Sequence, residues 1–548
     1  MKVYYLATDP STPIEKRPRS GLMQGRQLEI DEDEVLSDGP TSSRVAVVDI
    51  DDETGETWPG AKYQPDGPRR KLATHQVSDK SDIFARDFQQ VSVFGAVHAT
   101  MDLFEGPGIL GRKLTWAFDA QQLKVVPRAG VKANAQYSRE KRSLEFFFFD
   151  GVIGGIDTRV YTCLSPDIVA HETAHAILDG LAPDLYNATS PLSLSLHEAV
   201  SDVTAMLFAA RSSRLARLVL KSNHGDLRQP GAFNAVAEQF GQAKSGRLQP
   251  LRDLLNDKRL RDVRSSSPHD LSEVLTGAIY EMFLQSYSTE LDEQQAEDEE
   301  GRSRYSLSGR VLANVADRTA RIAFRALDYL PPGEVTFADY VRAVVSADAA
   351  SNPDSPDERT VLVNEAVKRG IIERAEDAEP VIADLDLNDV ELDALYIDND
   401  MAHAFVEQNR KALFVPEGAE FAIRPRLDVS KETYRRNGKR AITRELILKL
   451  TWTDNSFSID RGGNPVTVQI RYGTTLVLDW VEKSIRAVLT TSESEHVRAD
   501  RATDMALRTK WLGKLLDDGL DLDEYSTTLG DGTLAFHGLA RQLHLHGR

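Results

Sequence analysis

Two histidines four residues apart, His171 and His175, constrain this chain more than any other feature of its sequence. A helix places residues i and i+4 on the same face, so the two imidazole rings can bind one metal ion together. The residues just before them, Ser165, Pro166 and Asp167, are typical of a helix start. The sequence therefore predicts a helix with two metal ligands on one face and requires another element to supply the remaining ligand.

The other groups that a hydrolytic metal site needs follow in the sequence. A catalytic zinc site has three protein ligands and keeps one position open for water. Glu198, near the start of a second apolar-periodic helix, is the predicted third ligand. Asp202 lies one turn further and can accept a hydrogen bond from a ligand histidine. Glu172 follows His171 directly and is the predicted general base that takes a proton from the water.

These residues resemble the thermolysin family of zinc metallopeptidases, the gluzincins. The resemblance rests on His-Glu-x-x-His with a following Asp179, and on Glu-Ala-Val-Ser-Asp from Glu198 to Asp202. It covers about residues 75–372. The resemblance implies one catalytic zinc ion, Zn2+, bound by the two motif histidines and Glu198, with Asp179 and Asp202 as supporting carboxylates.

Four further residues take roles only through this resemblance. His269, after Pro268, resembles the family's second catalytic histidine, and Tyr186 resembles a tyrosine that the family keeps between the two ligand clusters. Both would donate hydrogen bonds to the oxyanion. The alternatives are a loop histidine and a packing tyrosine. Asn134 and Ala135 resemble the Asn-Ala of the edge strand that binds the substrate as an additional antiparallel strand.

The chain also departs from the family pattern. Asp167 matches a calcium-binding position of secreted members, but Ala209 stands where another acid is expected, which predicts no structural calcium. His197 replaces the family's Asn before the third ligand, and it either adds a polar contact or faces solvent. Residues 1–75 show no export signal and are too few for the family's pro-segment. We therefore expect a cytoplasmic protein, unless it is exported by a route without a signal.

Charge and composition narrow the classes of partner. The 548 residues include 66 Lys and Arg against 85 Asp and Glu, a net charge of −19. This balance argues against a nucleic-acid or anionic-membrane partner. The single cysteine, Cys163, excludes an intramolecular disulfide and a cysteine-based zinc ribbon. No stretch approaches the roughly 18 apolar residues of a membrane span.

The predicted fold class is α+β, with the two-lobed thermolysin-like architecture and an additional small C-terminal module. The predicted parts are a β-rich N-terminal segment (1–74), an N-terminal lobe with the edge strand (75–164), a helical catalytic lobe (165–372), an acidic linker (373–400) and an α+β module of unknown role (401–548). A regulatory or target protein is the expected partner of the last module.

Local patterns give four more specific predictions. Apolar residues between Phe88 and Phe104 recur at spacings of three and four and predict an amphipathic helix. Residues 134–150 predict one strand that ends in an aromatic run, and the acid-rich residues 290–300 predict a solvated loop. Residues 466–472 and 475–479 alternate as two separate strands.

The function favoured by the sequence is a zinc endopeptidase that acts on a peptide or protein substrate. One alternative is a zinc-stabilised scaffold, which would need the metal ligands but not Glu172. Another is a latent protease that a partner activates through residues 401–548. An exopeptidase would need an acid that binds the free amine near the edge strand, and no such segment is distinct in the sequence.

Overall fold

A computed structural model gives the architecture of the chain. It describes residues 1–6, 8, 23–27, 35–50, 54–67, 72–153, 156–229, 233, 235–236, 252–380, 385–434, 439–461, 464–492 and 498–545. Helices and strands are both abundant in these ranges, so the predicted α+β class is confirmed.

Short strands dominate the N-terminal part. They are β1 (Lys2–Leu6), β2 (Met23–Gln27), β3 (Val45–Val47), β4 (Tyr63–Gln64), β5 (Thr74–His75), β6 (Leu123–Val126), β7 (Ala135–Ser138), β8 (Ser143–Phe146), β9 (Phe148–Ile153) and β10 (Ile156–Tyr161). The strands β3, β6, β8 and β7 form one sheet in that order, with β7 as its last strand. β7 is antiparallel to β8, and β6 is parallel to both β3 and β8.

The single strand predicted over 134–150 is wrong, because the chain reverses between β7 and β8. The turn at residues 139–142 contains no Gly, Asn or Pro, the residues that mark turns in a sequence. Arg142 instead adopts a left-handed backbone, with φ of 57°. The sequence therefore gave no indication that the chain reverses here.

Helix α1 (Arg86–Glu105) is present as predicted, but it is not amphipathic. Polar residues on it are buried together with the apolar ones, among them Gln89 and Gln90. Gln90 donates to Asp49 (3.0 Å), and the Gln89 carbonyl accepts from Arg128 (2.7 Å). The helix is enclosed on nearly all sides, and its glutamines bind surrounding loops rather than solvent.

The middle of the chain is mostly helical. Its elements are α2 (Pro166–Leu181), α3 (Pro191–Ala210), α4 (Ser213–Ser222), β11 (Ala235–Val236), β12 (Arg252–Asp253), α5 (Pro268–Ala296), α6 (Arg304–Tyr329), α7 (Phe337–Ser351) and α8 (Asp357–Lys368), with 3-10 turns at Thr162–Leu164, Leu185–Asn187 and Leu260–Asp262. The predicted acidic loop is wrong over 290–296, which continue α5. Glu290 and Asp292 form ion pairs with Arg318 and Arg304 of α6, so their charges are compensated within the helix pair.

The last third of the chain is built on one sheet. Its elements are a 3-10 turn (Ala375–Ala378), α9 (Leu392–Ile397), α10 (Asn399–Gln408), β13 (Phe421–Ile423), β14 (Leu427–Tyr434), β15 (Arg440–Arg461), β16 (Asn464–Asp479), β17 (Ser484–Thr490), α11 (Arg498–Asp517), α12 (Leu522–Tyr525), β18 (Ser526–Thr528), β19 (Leu534–Phe536), a 3-10 turn (Leu539–Arg541) and α13 (Gln542–Leu545). The strands β13 to β19 form a seven-stranded sheet. None of the helices in the described ranges is long and apolar enough to cross a membrane.

The two strands predicted over 466–479 are a single strand, β16. Gly473 interrupts the apolar alternation in the sequence, but it does not end the strand. A Cβ at this position would collide with the carbonyl oxygen of Leu450 and with Pro332. The glycine therefore allows the loop after α6 to approach the sheet closely.

Both faces of this sheet are covered. Successive residues of β15 alternate, so Ile447 belongs to the core shared with the helices while Leu446 and Leu448 face the other side. On that other side they pack against Leu387, Leu392 and Phe405, among others. Much of the stretch predicted as an acidic linker, 373–400, therefore covers the sheet, although residues 381–384 lie outside the described residues.

Buried charges also join the sheet to the helices. Asp328 of α6 binds Arg112 (2.6 Å) and Lys431 of β14 (2.5 Å), and Arg325 binds Glu445 of β15 (2.8 Å). Burial raises the pKa of Asp328, but Lys431 and Arg112 outweigh it and hold the pKa below its usual range. Ion pairs between α6 and the strands β14 and β15 thus link the helical part to the C-terminal sheet.

We expect Asp328→Asn to lower the free energy of unfolding by about 3–5 kcal/mol, because Lys431 would stay buried without its counter-charge and Arg112 would lose the same partner. Urea denaturation at pH 7 measures this. The matched control is Asp317→Asn on the same helix, whose carboxylate is half-exposed; it should cost less than about 1 kcal/mol. Since the folded-state pKa of Asp328 is lowered, its contribution is complete above the unfolded-state pKa of about 4 and is lost progressively as the pH falls from there toward the folded-state pKa. Equal stabilities of the two variants would contradict the assignment.

Candidate metal centre

Helix α2 carries three of the predicted site residues. It begins at Pro166 with Ser165 as the N-cap residue, so the helix start predicted from the sequence is confirmed. His171 and His175 lie one turn apart, Glu172 lies beside His171, and all three side chains are buried. The helix packs against α1, α3 and β7. The i, i+4 spacing therefore places both imidazole rings in the protein interior.

Helix α3 brings the third predicted ligand to the same place. The Ser190 hydroxyl caps this helix and accepts hydrogen bonds from the backbone N–H groups of Leu192 and Ser193. Glu198 and Asp202 lie one turn apart on it, and both carboxylates are buried. All residues of α3 are buried, so the helix is held from every side.

The distances among these side chains suit a single metal ion. The two Nε2 atoms of His171 and His175 are 3.1 Å apart. Each is about as close to Glu198, at 3.6 Å for His171 and 3.5 Å for His175. Ligands placed tetrahedrally at zinc bond lengths lie roughly 3.3 Å from one another. These three residues are a group of potential ligands whose donor atoms all lie within 4.8 Å of one another, and their spacing fits such an ion.

The outer nitrogen of each ligand histidine also has a partner. Nδ1 of His171 lies 3.0 Å from Oδ1 of Asp202. Nδ1 of His175 lies 2.6 Å from Nδ1 of His197, and the two rings are nearly parallel. With both Nδ1 atoms engaged on the outside, both Nε2 atoms are directed toward Glu198.

His197 is the functional residue that sequence reasoning left undecided. It is buried rather than exposed to solvent. When His175 is a metal ligand through Nε2, its Nδ1 carries the proton and donates it to Nδ1 of His197. In the sequence, only the position of His197 directly before Glu198 pointed to this role, because a sequence does not show which way a ring points.

His269 lies at the edge of this group. It is in the first turn of α5, and its Nε2 is 3.5 Å from Oε2 of Glu198. Its side chain is 28% exposed, in contrast to the buried ligands. His269 therefore lies between the buried carboxylate and solvent.

The structure engages Asp179 and Tyr186 elsewhere. Asp179 binds Arg139 and accepts from the Tyr137 hydroxyl (2.7 Å), rather than supporting a ligand histidine. The Tyr186 hydroxyl donates to Glu140 (3.1 Å) and accepts from the Arg139 backbone N–H (3.4 Å). Asp179 thus holds the β7–β8 turn against α2, and Tyr186 holds the same turn against the 3-10 turn that follows α2.

Asn134 and Ala135 lie where β7 begins. Ala135 pairs with Phe146 of β8, and β7 is the last strand of its sheet. The same strand packs against α2, the helix of the two histidines. The predicted edge strand is therefore next to the ligand helix, and Asp179 ties the two together through Tyr137 and Arg139.

No protein-family model matches the chain, and no curated protein matches it. The geometry of His171, His175 and Glu198 is therefore the basis for any functional conclusion. The buried His-His-Glu group can hold a metal ion.

We expect His197→Ala to weaken Zn2+ binding by about 10–100-fold, because His175 would lose the acceptor that fixes its ring. Competition with a chromophoric chelator measures the affinity. His197→Asn should lose less, since an amide oxygen can accept the same hydrogen bond. His403→Ala, an exposed histidine on α10, is the control and should bind zinc as the native protein does. Native affinity in His197→Ala would contradict a role for this residue.

Proposed function

We propose that the protein is a zinc-dependent endopeptidase with a thermolysin-like catalytic unit. The observation that carries the proposal is the buried group of His171, His175 and Glu198, with Glu172 on the same helix. Two neutral imidazoles and one carboxylate are a donor set typical of catalytic zinc. Three protein ligands leave one position for water, and the partly exposed His269 marks the side open to substrate.

The buried charge of Glu198 supports a divalent ion in particular. Its carboxylate is fully buried, and the side chains within 3.6 Å of it are the imidazoles of His171, His175 and His269. A carboxylate held in the interior at neutral pH is stabilised strongly by a cation between it and the rings. Zinc fits this mixed nitrogen and oxygen set better than calcium or magnesium, which prefer oxygen ligands alone.

In peptide hydrolysis, each of the remaining residues would have its own role. A zinc ion bound here would polarise the peptide carbonyl and acidify the attacking water. Glu172 accepts the proton of that water and donates it to the leaving amine. His269 donates a hydrogen bond to the oxyanion as it develops. Main-chain groups of β7 hold the substrate as an added strand, which orients the scissile bond. Tyr186 supports the turn of this strand, since its hydroxyl already donates to Glu140.

We expect Glu172→Gln to lower kcat for peptide cleavage by about 10²–10⁴-fold while zinc stays bound, because only the proton acceptor is removed. Digestion of a mixed peptide library, analysed by mass spectrometry, measures cleavage, and metal analysis measures occupancy. Glu299→Gln, an exposed acid, is the control and should cleave as the native protein does. If the zinc-loaded native protein cleaves no peptide, the proposal is contradicted. The two alternatives, a zinc-stabilised scaffold and a protease that a partner activates, would then be favoured.

His269→Phe should lower kcat/KM by about 10²-fold and leave the zinc affinity within about twofold, because the residue donates to the oxyanion but is not a ligand. Steady-state kinetics on one cleaved peptide and chelator competition give the two numbers. A loss of zinc affinity as large as the loss of rate would instead make His269 part of the metal-holding group.

A further inference from the structure

The segment that joins the two ligand helices is held by the C-terminal third of the chain. This connector, residues 182–190, runs from the end of α2 to the N-cap of α3. Its position decides how α3 lies against α2, and therefore how Glu198 lies against His171 and His175. Three separate contacts from residues beyond 420 reach it or its partners.

Asp184 is the first contact. Its Oδ1 accepts from Arg424 (2.8 Å) and from Arg471 of β16 (2.6 Å). Its Oδ2 accepts from the backbone N–H of Gly333 (3.0 Å). The carboxylate is buried and both arginine side chains are partly exposed, and the two charge-assisted hydrogen bonds fix the connector to the sheet.

The second contact is at Ser190, the N-cap residue of α3. The Ser190 hydroxyl donates to Asp504 of α11, while its backbone N–H donates to Glu334 (2.8 Å). Thr189 donates to the same Glu334 carboxylate (2.9 Å). Arg508 of α11 binds both Asp504 (2.7 Å) and Glu334 (3.1 Å). All of these groups are buried, so the cap of the helix with Glu198 is part of one network with α11.

The third contact is made by Gly538, which follows β19. The backbone N–H of Gly538 donates to the side-chain oxygen of Asn187 (2.9 Å). In addition, Lys510 of α11 donates to the carbonyl of Arg264, in the loop before His269. The C-terminal third thus touches the segments that precede both Glu198 and His269.

We infer that the residues of the C-terminal third that make these contacts are a positioning clamp for the metal centre rather than a separate recognition module; they are Arg424, Arg471, Asp504, Lys510 and Gly538. A metal site tolerates only about 0.2 Å of error in its ligand distances. Because α3 is a continuous buried helix, a displacement of its first turn is transmitted to Glu198, two turns further on. The inference rests on the proposed function only in requiring that His171, His175 and Glu198 bind a metal.

The test is Co2+ binding by the full-length protein, followed by visible absorption and chelator competition. Asp184→Asn and Arg471→Gln should each lower Co2+ affinity by about tenfold and alter the cobalt absorption bands. Arg471→Lys keeps the charge and should recover part of the affinity. The matched control is Asp479→Asn. Asp479 is also a buried carboxylate of β16, held by Arg486 and two backbone N–H groups, and its hydrogen bonds do not involve the connector.

The control should lose stability but keep the native cobalt affinity and spectrum. If Asp184→Asn and Arg471→Gln acted only by lowering stability, they would behave in the same way as this control. Native affinity and bands in folded Asp184→Asn and Arg471→Gln would overturn the inference. A native protein that binds no cobalt would overturn it together with the proposed function. Cobalt binding that responds as expected, without peptide cleavage by the zinc-loaded protein, would support the clamp and reject only the endopeptidase.

Discussion

The burial of one carboxylate next to three imidazole rings is the constraint on which the rest of this structure depends. Glu198 is withdrawn from solvent and lies within 3.6 Å of His171, His175 and His269. Removing a carboxylate from water is costly unless hydrogen bonds or a cation compensate it. Two helices and the start of a third must therefore meet at one point, and each of them needs its own support.

The support is built in layers around that point. Asp202 and His197 hold the ligand rings from outside, and Asp179 ties the ligand helix to β7. Beyond them, buried ion pairs link the helices to the C-terminal sheet, as between Arg325 and Glu445. Such pairs contribute less to stability than their number suggests, but breaking one is costly, so they fix relative positions.

The local part of this arrangement could be predicted from the sequence. The helix start at Pro166 follows from the residues that precede the two histidines, and their spacing follows from helical periodicity. The second helix was predicted to begin close to Glu198, but it begins at Pro191, about two turns earlier. The sequence therefore predicted His171, His175 and Glu198 as candidate ligands, and the structure places their donor atoms within 4.8 Å of one another. Tyr186 and Asp179 were placed by resemblance alone, and the structure engages them with the 139–142 turn, whose residues carry no turn signal.

By itself, the sequence determined the α+β class and the helix that carries His171 and His175, and it predicted the candidate metal-binding group, because each depends on residues close together in the chain. The tertiary structure alone decided the role of the C-terminal third. Asp184 meets Arg424 and Arg471 across hundreds of positions, and Ser190 meets Asp504 in the same way. Ion pairs between such distant residues follow no periodicity, since only the folded packing of the sheet against the helices brings them together.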